Sequence, residues 1–354
     1  MPRMTTIRIE EPTDARHFVM TSGPSLAAVL IARNEARCIA RCLDSLRPWV
    51  DRILLLDTGS SDDTADIAAR HGADVRHLPW PGDFAAARNH ALACADADWN
   101  LIVDADEWLL SGGEMLRGWC AGPPRLGQIC IHSNDDDSTT ANRNWTTRLL
   151  PRGVHYEGRV HEQPVAALPG ARIPVHFGHD GFCARQLETK TDRNRPLLLA
   201  ELRDHPDDPY LLYQLGKDAE MRDDDAAAAG YYAMSLPRTP ANANWMHELF
   251  VRHLHMLGQT GRRDEALALA DREMQRWSES PDFFFILGNL LLDHAIDHPA
   301  EALGQWLPLA ASAWDRCLDI GERPDLQGSV HGRGSHLAAH NLAALRSQTA
   351  ALAA

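Results

Sequence analysis

The chain has 354 residues, a formal net charge of -14 and a hydrophobic content of 44%, which suit two folded domains or one large domain. Because a nucleic-acid backbone is bound through clustered Lys and Arg side chains, this charge argues against a nucleic-acid partner. No apolar run approaches the roughly 20 residues that span a bilayer, and residues 1–18 lack the apolar segment of a secretory signal. The seven Cys residues form no C-x-x-C pair, so we expect reduced thiols and a cytoplasmic protein.

Strand and helix patterns alternate through the first third of the chain. Apolar runs at 25–33, 52–57 and 99–103 predict buried strands, and a shorter run at 73–78 predicts another between the last two. The segments that join them have apolar residues at helical spacing, with Gly, Ser and Asp where helices begin and end. Strands that alternate with helices of this length predict an α/β domain with a parallel sheet covered by helices.

Polar residues directly follow three of the predicted strands, at Asn34, Asp57 and Asp104. In a parallel sheet the carboxyl ends of the strands share one edge, and ligands bind in the crevice beyond that edge. We therefore expect these three side chains to converge on one site.

The periodicity changes after about residue 125. Strand-like runs separated by polar turns between 125 and 180 predict an antiparallel extension of the sheet that completes the site. From about residue 205 the chain is helical and repetitive, with Gly216, Ala228 and Tyr232 in one unit matched by similar small residues in the next. This spacing fits degenerate tetratricopeptide-like repeats, in which small residues let paired helices approach each other.

The segment "WNLIVDADEW", residues 99–108, ends an apolar strand in a cluster of carboxylates. The carboxylates of Asp104 and Asp106 would repel each other unless a cation lies between them, and hard oxygen donors of this kind suit Mg²⁺ or Mn²⁺. A D-x-D sequence alone also occurs where acids cap a helix or face water. The preceding strands and Arg88 on the adjacent predicted helix favour the metal interpretation.

Asp57 is the second candidate for ligand binding. An acid at the end of the second strand can accept hydrogen bonds from a ribose hydroxyl or a base N–H, although the following "TGSSDDT" also provides helix-capping residues. The chain contains no G-x-G-x-x-G and no G-x-x-x-x-G-K-[ST] motif, which argues against a nicotinamide dinucleotide fold and a P-loop.

Two stretches, 27–75 and 84–109, resemble the family-two inverting glycosyltransferases of the GT-A fold. The resemblance covers about residues 25–110 closely. It extends through "RLLPRGVHYEGRVHEQ" and "DPYLLYQLGKD" to a subgroup with C-terminal tetratricopeptide repeats, which includes peptide S-glycosyltransferases that modify bacteriocins. A sugar nucleotidyltransferase is disfavoured because no Gly-rich basic loop follows the first strand.

The resemblance implies roles for individual residues. It assigns donor binding to Asn34, Glu35, Asp57, Arg88 and Asp104, with Asn34 and Glu35 against the nucleoside, Asp57 at the base and Arg88 beneath the nucleotide. Asp106 then binds the divalent metal, and Asp104 faces the ribose or the metal. Arg33 departs from the pattern, because many members of the family have an aromatic residue at that position.

The catalytic base is expected in "YEGRVHEQ", which offers Glu157, His161 and Glu162. We favour Glu162, and a salt bridge to Arg159 is the alternative role for any of these residues. In "VHFGHDGF" the resemblance implies that His176 is a third metal ligand or a phosphate donor. A hydrogen-bonded structural histidine is equally compatible with the sequence.

Three segments are therefore predicted: an N-terminal arm (1–22), a GT-A glycosyltransferase domain (23–204) and an all-α tetratricopeptide-like domain (205–354). The expected activity is metal-dependent transfer, with Mg²⁺ or Mn²⁺, of a sugar from a UDP- or GDP-sugar to a peptide, protein or glycan. The helical repeats are expected to hold the acceptor or a second copy of the chain. The alternative is a helical-repeat adaptor whose N-terminal domain is a degenerate nucleotide-binding module.

Overall fold

The computed structural model describes residues 23–133, 142–179 and 184–352. The predicted N-terminal arm, residues 1–22, lies outside the described residues. The described strands are β1 (Leu26–Ala32), β2 (Arg52–Asp57), β3 (Asp74–His77), β4 (Trp99–Ile102), β5 (Glu107–Ser111), β6 (Leu126–Ser133), β7 (Asn142–Pro151), β8 (His155–Glu157), β9 (Gln163–Val165) and β10 (Gly170–His179).

Helices cover the sheet in the first part of the described chain and make up most of its second part. They are α1 (Ile39–Leu46), α2 (Thr64–Arg70), α3 (Phe84–Ala95), α4 (Met115–Cys120), α5 (Ala184–Asp204), α6 (Pro209–Glu220), α7 (Asp225–Ser235), α8 (Met246–Gln259), α9 (Arg263–Glu273), α10 (Pro281–Asp297), α11 (Pro299–Glu301), α12 (Leu307–Ile320) and α13 (His336–Leu352).

Eight of the described strands form one sheet in the order β3-β2-β1-β4-β7-β6-β10-β5. Strands β1 to β4 are parallel, as predicted, and β1 is central among them because it pairs with both β2 and β4. The pairing of Ala32 with Asp57 brings the carboxyl ends of β1 and β2 level. The α/β class of the N-terminal domain is thus confirmed.

The second half of the sheet differs from the predicted antiparallel extension. Strand β7 is antiparallel to β4 and β6, but β10 runs parallel to β6 and antiparallel to β5. Strand β5 begins at Glu107, directly after the acidic cluster, and was not predicted as a strand. This segment is a strand because its backbone pairs with residues 176–179 of β10, which lie far away in the sequence.

Alanines place α3 close to the sheet. The Asp83 side chain caps the helix by accepting the Ala86 N–H at 2.8 Å, as acids at this position commonly do. Ala87, Ala91 and Ala95 are completely buried against residues of the parallel strands. Their small side chains bring the backbone of α3 near the carboxyl edge of the sheet, where Arg88 lies.

Consecutive helices pack in pairs in the second half of the chain, such as α6 with α7 and α8 with α9. A Cβ atom at Gly216 would lie 2.2 Å from the Tyr232 ring, so α6 and α7 approach closely where the sequence predicted it. The all-α character of this region is confirmed, while its assignment to tetratricopeptide-like repeats and the domain boundary near residue 205 stay predictions. No described helix is both long and apolar enough to cross a membrane.

Candidate active site

A cleft of about 530 Å³ opens at the carboxyl edge of the parallel strands. The floor carries Asp104, Asp106, Arg88 and Arg148, and an aromatic wall is formed by Trp80 and Phe84. The rings of these two aromatics meet edge to face with centroids 4.6 Å apart. The other lining residues include Ala32, Arg33, Glu35, Thr58, Thr146, Thr147, Tyr156, His161, Glu162, His179, Asn194 and Tyr210.

The turn after β4 explains why an apolar strand ends in carboxylates. The Glu107 side chain accepts the Asp104 N–H at 3.0 Å, and the Glu107 N–H donates to the Asp104 carbonyl, also at 3.0 Å. These reciprocal bonds close a tight turn that holds Asp106 between the two residues. Local hydrogen bonding therefore fixes the turn without any ligand.

Two arginines neutralise part of the acidic cluster. Arg88 donates to one Asp104 oxygen at 2.8 Å, while Arg148 donates to the other at 2.6 Å and to Glu107 at 2.9 Å. Burial alone would raise the pKa of Asp104, but Arg148 and Arg88 hold it well below its usual value. Burial raises the pKa of Glu107 to about 7 despite the bond from Arg148.

Arg88 also pairs with Glu162 across the cleft. The chain around Glu162 is docked on α3, because the Asn89 side chain donates to the Tyr156 carbonyl at 2.9 Å and accepts the Tyr156 N–H at 2.8 Å. Glu162 and His161 both line the cleft. Glu157 does not line it, since its side chain is 68% exposed and contacts His155.

Asp106 lies beside a histidine. It is only 6% exposed, and one of its oxygens lies 3.3 Å from Nε2 of His179, the last residue of β10. His176, which the sequence assigned to the metal, is not among the residues that line the cleft, and its ring contacts His132 instead. The structure therefore places His179, and not His176, beside Asp106.

The donors of the cluster suit a divalent cation. Arg88 and Arg148 pair with Asp104, Glu107 and Glu162, while Asp106 lies beside His179. Carboxylate oxygens are the donors that Mg²⁺ and Mn²⁺ prefer. Asp106 and His179, with Asp104, are thus the residues that would hold the ion.

Asp57 lies at the end of β2, next to Thr58 of the cleft wall. Its Oδ1 accepts the Gly59 and Ser60 N–H groups, each at 2.9 Å. Burial would raise the pKa of Asp57, but these bonds and the Ser60 hydroxyl lower it. Its Oδ2 is buried and has no hydrogen-bond partner among the described residues, and Asp57 itself is not among the residues that line the cleft.

Asn34 and Glu35 follow β1, as the sequence indicated, but only Glu35 lines the cleft. Asn34 has a φ of 60°, and its side-chain oxygen accepts the Ser61 N–H at 2.8 Å. Its N–H donates to the Ser60 hydroxyl at 3.0 Å. Asn34 therefore joins the loop after β1 to the loop after β2 and shapes the site without lining it.

Sequence reasoning missed Arg148 and His179 as site residues. Arg148 lies in the otherwise apolar end of β7, in "RLLP". A cationic residue in an apolar strand could have indicated that it pairs with buried carboxylates. Arg148 lies at an irregularity where Gly127 pairs with Leu149 but Gln128 pairs with Thr147, which leaves it outside the regular pairing. His179 had been noted only as the neighbour of His176.

A mainly parallel sheet with a carboxylate cluster beyond its fourth strand defines a glycosyltransferase domain of the GT-A type. Residues 27–165 match the family model described as Glycosyl transferase family 2, so this part of the chain is a family 2 glycosyltransferase domain. A TPR repeat-containing protein of Synechococcus elongatus is 32% identical over 288 residues, which are 76% of this chain and 70% of that protein.

In the other similar proteins, the match covers a smaller share of the protein's length. The SPbeta prophage-derived glycosyltransferase SunS of Bacillus subtilis is 28% identical over 234 residues, 62% of this chain and 55% of SunS. The chain thus spans little more than half the length of SunS. Glucosyl-3-phosphoglycerate synthase from Mycobacterium tuberculosis, solved with Mn²⁺, UDP and glucosyl-3-phosphoglycerate, is 26% identical over 32% of this chain and 45% of that one, with a TM-score of 0.27.

Proposed function

We propose that the chain is a metal-dependent inverting glycosyltransferase that uses a nucleoside diphosphate sugar, with UDP or GDP as the nucleotide. The observation that carries this proposal is the pairing of buried Asp106 with His179 at the carboxyl edge of the sheet, within a cluster of carboxylates. A bound divalent ion would supply Lewis-acid stabilisation of the departing diphosphate.

The donor is positioned by residues around that ion. Asp57 Oδ2 is the acceptor for an N–H of the base, and Glu35 and Thr58, the residue after Asp57, line the cleft. Asp104 is held in place by Arg88 and Arg148, so its orientation is set before the donor binds. Such preorganisation reduces the cost of ordering the site during the reaction.

Glu162 is the proposed catalytic base. Inversion requires a group that removes the proton of the acceptor on the face opposite the leaving diphosphate. Glu162 lines the cleft, and its pairing with Arg88 fixes its position relative to Asp104, which contacts the same arginine. Attack on the anomeric carbon passes through an oxocarbenium-like state, and the carboxylates around the cleft favour that positive charge.

The acceptor is proposed to be a peptide or protein segment. The sequence resemblance to peptide S-glycosyltransferases supports this class of acceptor. Tyr210, at the beginning of the first helical pair, contributes to the cleft wall and also accepts a hydrogen bond from Gln163 at 3.0 Å. The helical region therefore borders the place where an acceptor would enter. The cytoplasmic location and a homodimer through the helices stay predictions.

Thermal unfolding of the full chain with UDP or GDP tests the donor site directly. We expect one of them to raise the Tm with Mn²⁺ present and to have no effect in EDTA. Asp106→Ala should abolish this shift and the hydrolysis or transfer of the nucleotide sugar, while its circular dichroism spectrum stays that of the wild type. Full transfer by Asp106→Ala in EDTA would disprove the metal-dependent mechanism.

A further inference from the structure

A second group of metal-binding side chains lies outside the cleft. Cys130 and His132 are two residues apart on β6 and therefore share one face of the sheet. His176 is the register partner of Cys130 on the neighbouring strand β10. None of the three lines the carboxylate cleft.

The ligand atoms of these residues converge. The Cys130 sulfur and one nitrogen of each histidine all lie within 4.8 Å of one another. His132 Nε2 and His176 Nδ1 are 2.9 Å apart, so one nitrogen of each ring faces the other ring. In a tetrahedral zinc site, with Zn–S of about 2.3 Å and Zn–N of about 2.0–2.1 Å, ligand atoms are about 3.3–3.6 Å apart.

The surroundings hold the ligands in place. Cys130 is only 2% exposed, and the edge of the Trp145 ring packs against His176 with centroids 6.4 Å apart. Trp145 is the partner of Cys130 on β7, so three neighbouring strands build this group. Residues on paired strands of a sheet have little freedom to move apart.

We propose that Cys130, His132 and His176 form a second metal site, specific for Zn²⁺ rather than for Mg²⁺ or Mn²⁺. A thiolate and two imidazoles are softer donors than the carboxylates of the cleft, and this set suits zinc. Binding displaces the Cys130 thiol proton to solvent, and the proton between the two imidazoles moves to the other nitrogen of its ring, which leaves both facing nitrogens as ligands.

The site would connect β6 and β10 close to the cleft. His176 and His179 are three residues apart on β10, a distance of about 10 Å along a strand. A zinc ion bound there would therefore join β10 to β6 at a distance from the contact between His179 and Asp106. The role of this ion is structural and separate from the donor chemistry.

Cobalt spectroscopy of the metal-free full chain tests this assignment. We expect one equivalent of Co²⁺ to produce a thiolate-to-cobalt charge-transfer band that one equivalent of Zn²⁺ removes, and elemental analysis to show one zinc per chain after dialysis. Cys130→Ser should abolish the band, and His176→Ala should weaken Co²⁺ binding at least tenfold. Cys94→Ser, which changes a half-buried thiol on α3, is the control that should keep the band.

Asp106→Asn separates the two sites. It should lose the Mn²⁺-dependent effects of nucleotide and keep the cobalt band. The absence of the band in wild type, or its persistence in Cys130→Ser with unchanged circular dichroism, would overturn the proposal and leave a plain imidazole hydrogen bond. A band that disappears in Asp106→Asn but remains in Cys130→Ser would also overturn it.

Discussion

His179 Nε2 lies 3.3 Å from Asp106 Oδ2, although 73 residues separate the two in the chain. Strand β5 begins at Glu107, next to Asp106, and Glu107 is the register partner of His179 on β10. The pairing of these two strands thus delivers an imidazole to the second acid of the D-x-D sequence. A buried carboxylate and an imidazole in contact can share one cation.

The first prediction uses the two histidines of β10 as a matched pair. His179→Ala should raise the Mn²⁺ concentration needed for half-maximal transfer by about 10- to 100-fold, the usual cost of disturbing the shell of a metal site. His176→Ala should leave this concentration within about twofold, because its ring contacts His132 and not the cleft. Equal effects of the two variants in a Mn²⁺ titration would contradict the assignment.

The second prediction concerns the proposed catalytic base, Glu162. Glu162→Gln should lower kcat by about 10²- to 10⁴-fold, the range for loss of a general base, while the Kd for UDP with Mn²⁺ changes little. Glu157→Gln is the control, since that side chain is 68% exposed and faces His155. If Glu162 only supported Arg88, the variant would lower the Tm and weaken UDP binding together, and kcat would fall in parallel.

The third prediction concerns recognition of the nucleotide base by Asp57. Asp57→Asn keeps an oxygen for the Gly59 and Ser60 N–H groups but places an NH₂ group at the buried Oδ2 position. A donor would then face the N–H of the base, and we expect the Kd for UDP to rise about 10- to 100-fold, or about 1.5–3 kcal/mol.

The control for this substitution is Asp63→Asn. Asp63 is exposed on the same loop, and its side chain makes no capping bond to α2. Isothermal titration in the presence of Mn²⁺ should show an unchanged Kd for this variant. Wild-type affinity in Asp57→Asn would show that Asp57 serves only the turn.

The site was predictable from sequence where its geometry is local. Asp104 and Asp106 lie just after β4, and Asp57 is the last residue of β2. Their convergence could be predicted because the carboxyl ends of parallel strands share one edge of the sheet. Arg148 and His179 depend on pairing between distant strands and on a register irregularity in β7. A shift of one position in a strand exchanges the faces of its side chains, so periodicity alone could not choose between His176 and His179.

The sheet shows the same limit. The parallel half was predictable because β1, β2 and β3 are each followed by a helix that returns the chain. The direction of β10 was not, because its pairing with β6 and β5 involves residues that lie far apart in sequence. Strand β5 could not be predicted either, because it follows an acidic stretch and forms a strand only through its pairing with β10.

The fourth prediction tests the close approach of α6 and α7. Gly216→Ala would place its Cβ 2.2 Å from the Tyr232 ring, and Tyr232 is held by a hydrogen bond from its hydroxyl to Glu220. We expect a loss of about 1–3 kcal/mol in the free energy of unfolding, as for other overpacked cores.

Gly230→Ala is the matched control in the same helix pair, because a Cβ there meets nothing within 4 Å. Alanine is the better helix former by about 1 kcal/mol, so this variant should be slightly more stable than wild type. Urea unfolding followed by circular dichroism measures both variants. The same sign for the two changes would contradict the packing model.

The fifth prediction is the acid sensitivity of the helical region. Glu248 on α8 is 6% exposed and contacts Lys217 at 3.3 Å and Arg252 at 2.9 Å. Burial would raise its pKa, but Lys217 and Arg252 lower the pKa from 4.5 to about 2. A carboxylate with a lowered folded-state pKa contributes stability above the unfolded value, and that contribution is lost as the pH falls from about 4.5 towards 2.

Glu248→Gln should therefore cost about 2–3 kcal/mol at pH 7, and the difference from wild type should shrink steadily below pH 4.5. Urea midpoints of both proteins between pH 7 and pH 3 measure this convergence. Glu265→Gln is the control, because the Glu265 side chain is 52% exposed beside Arg262 and such surface pairs contribute less than about 1 kcal/mol. A constant difference between wild type and Glu248→Gln over the whole range would show that Glu248 does not titrate with folding, and that packing alone explains its contribution.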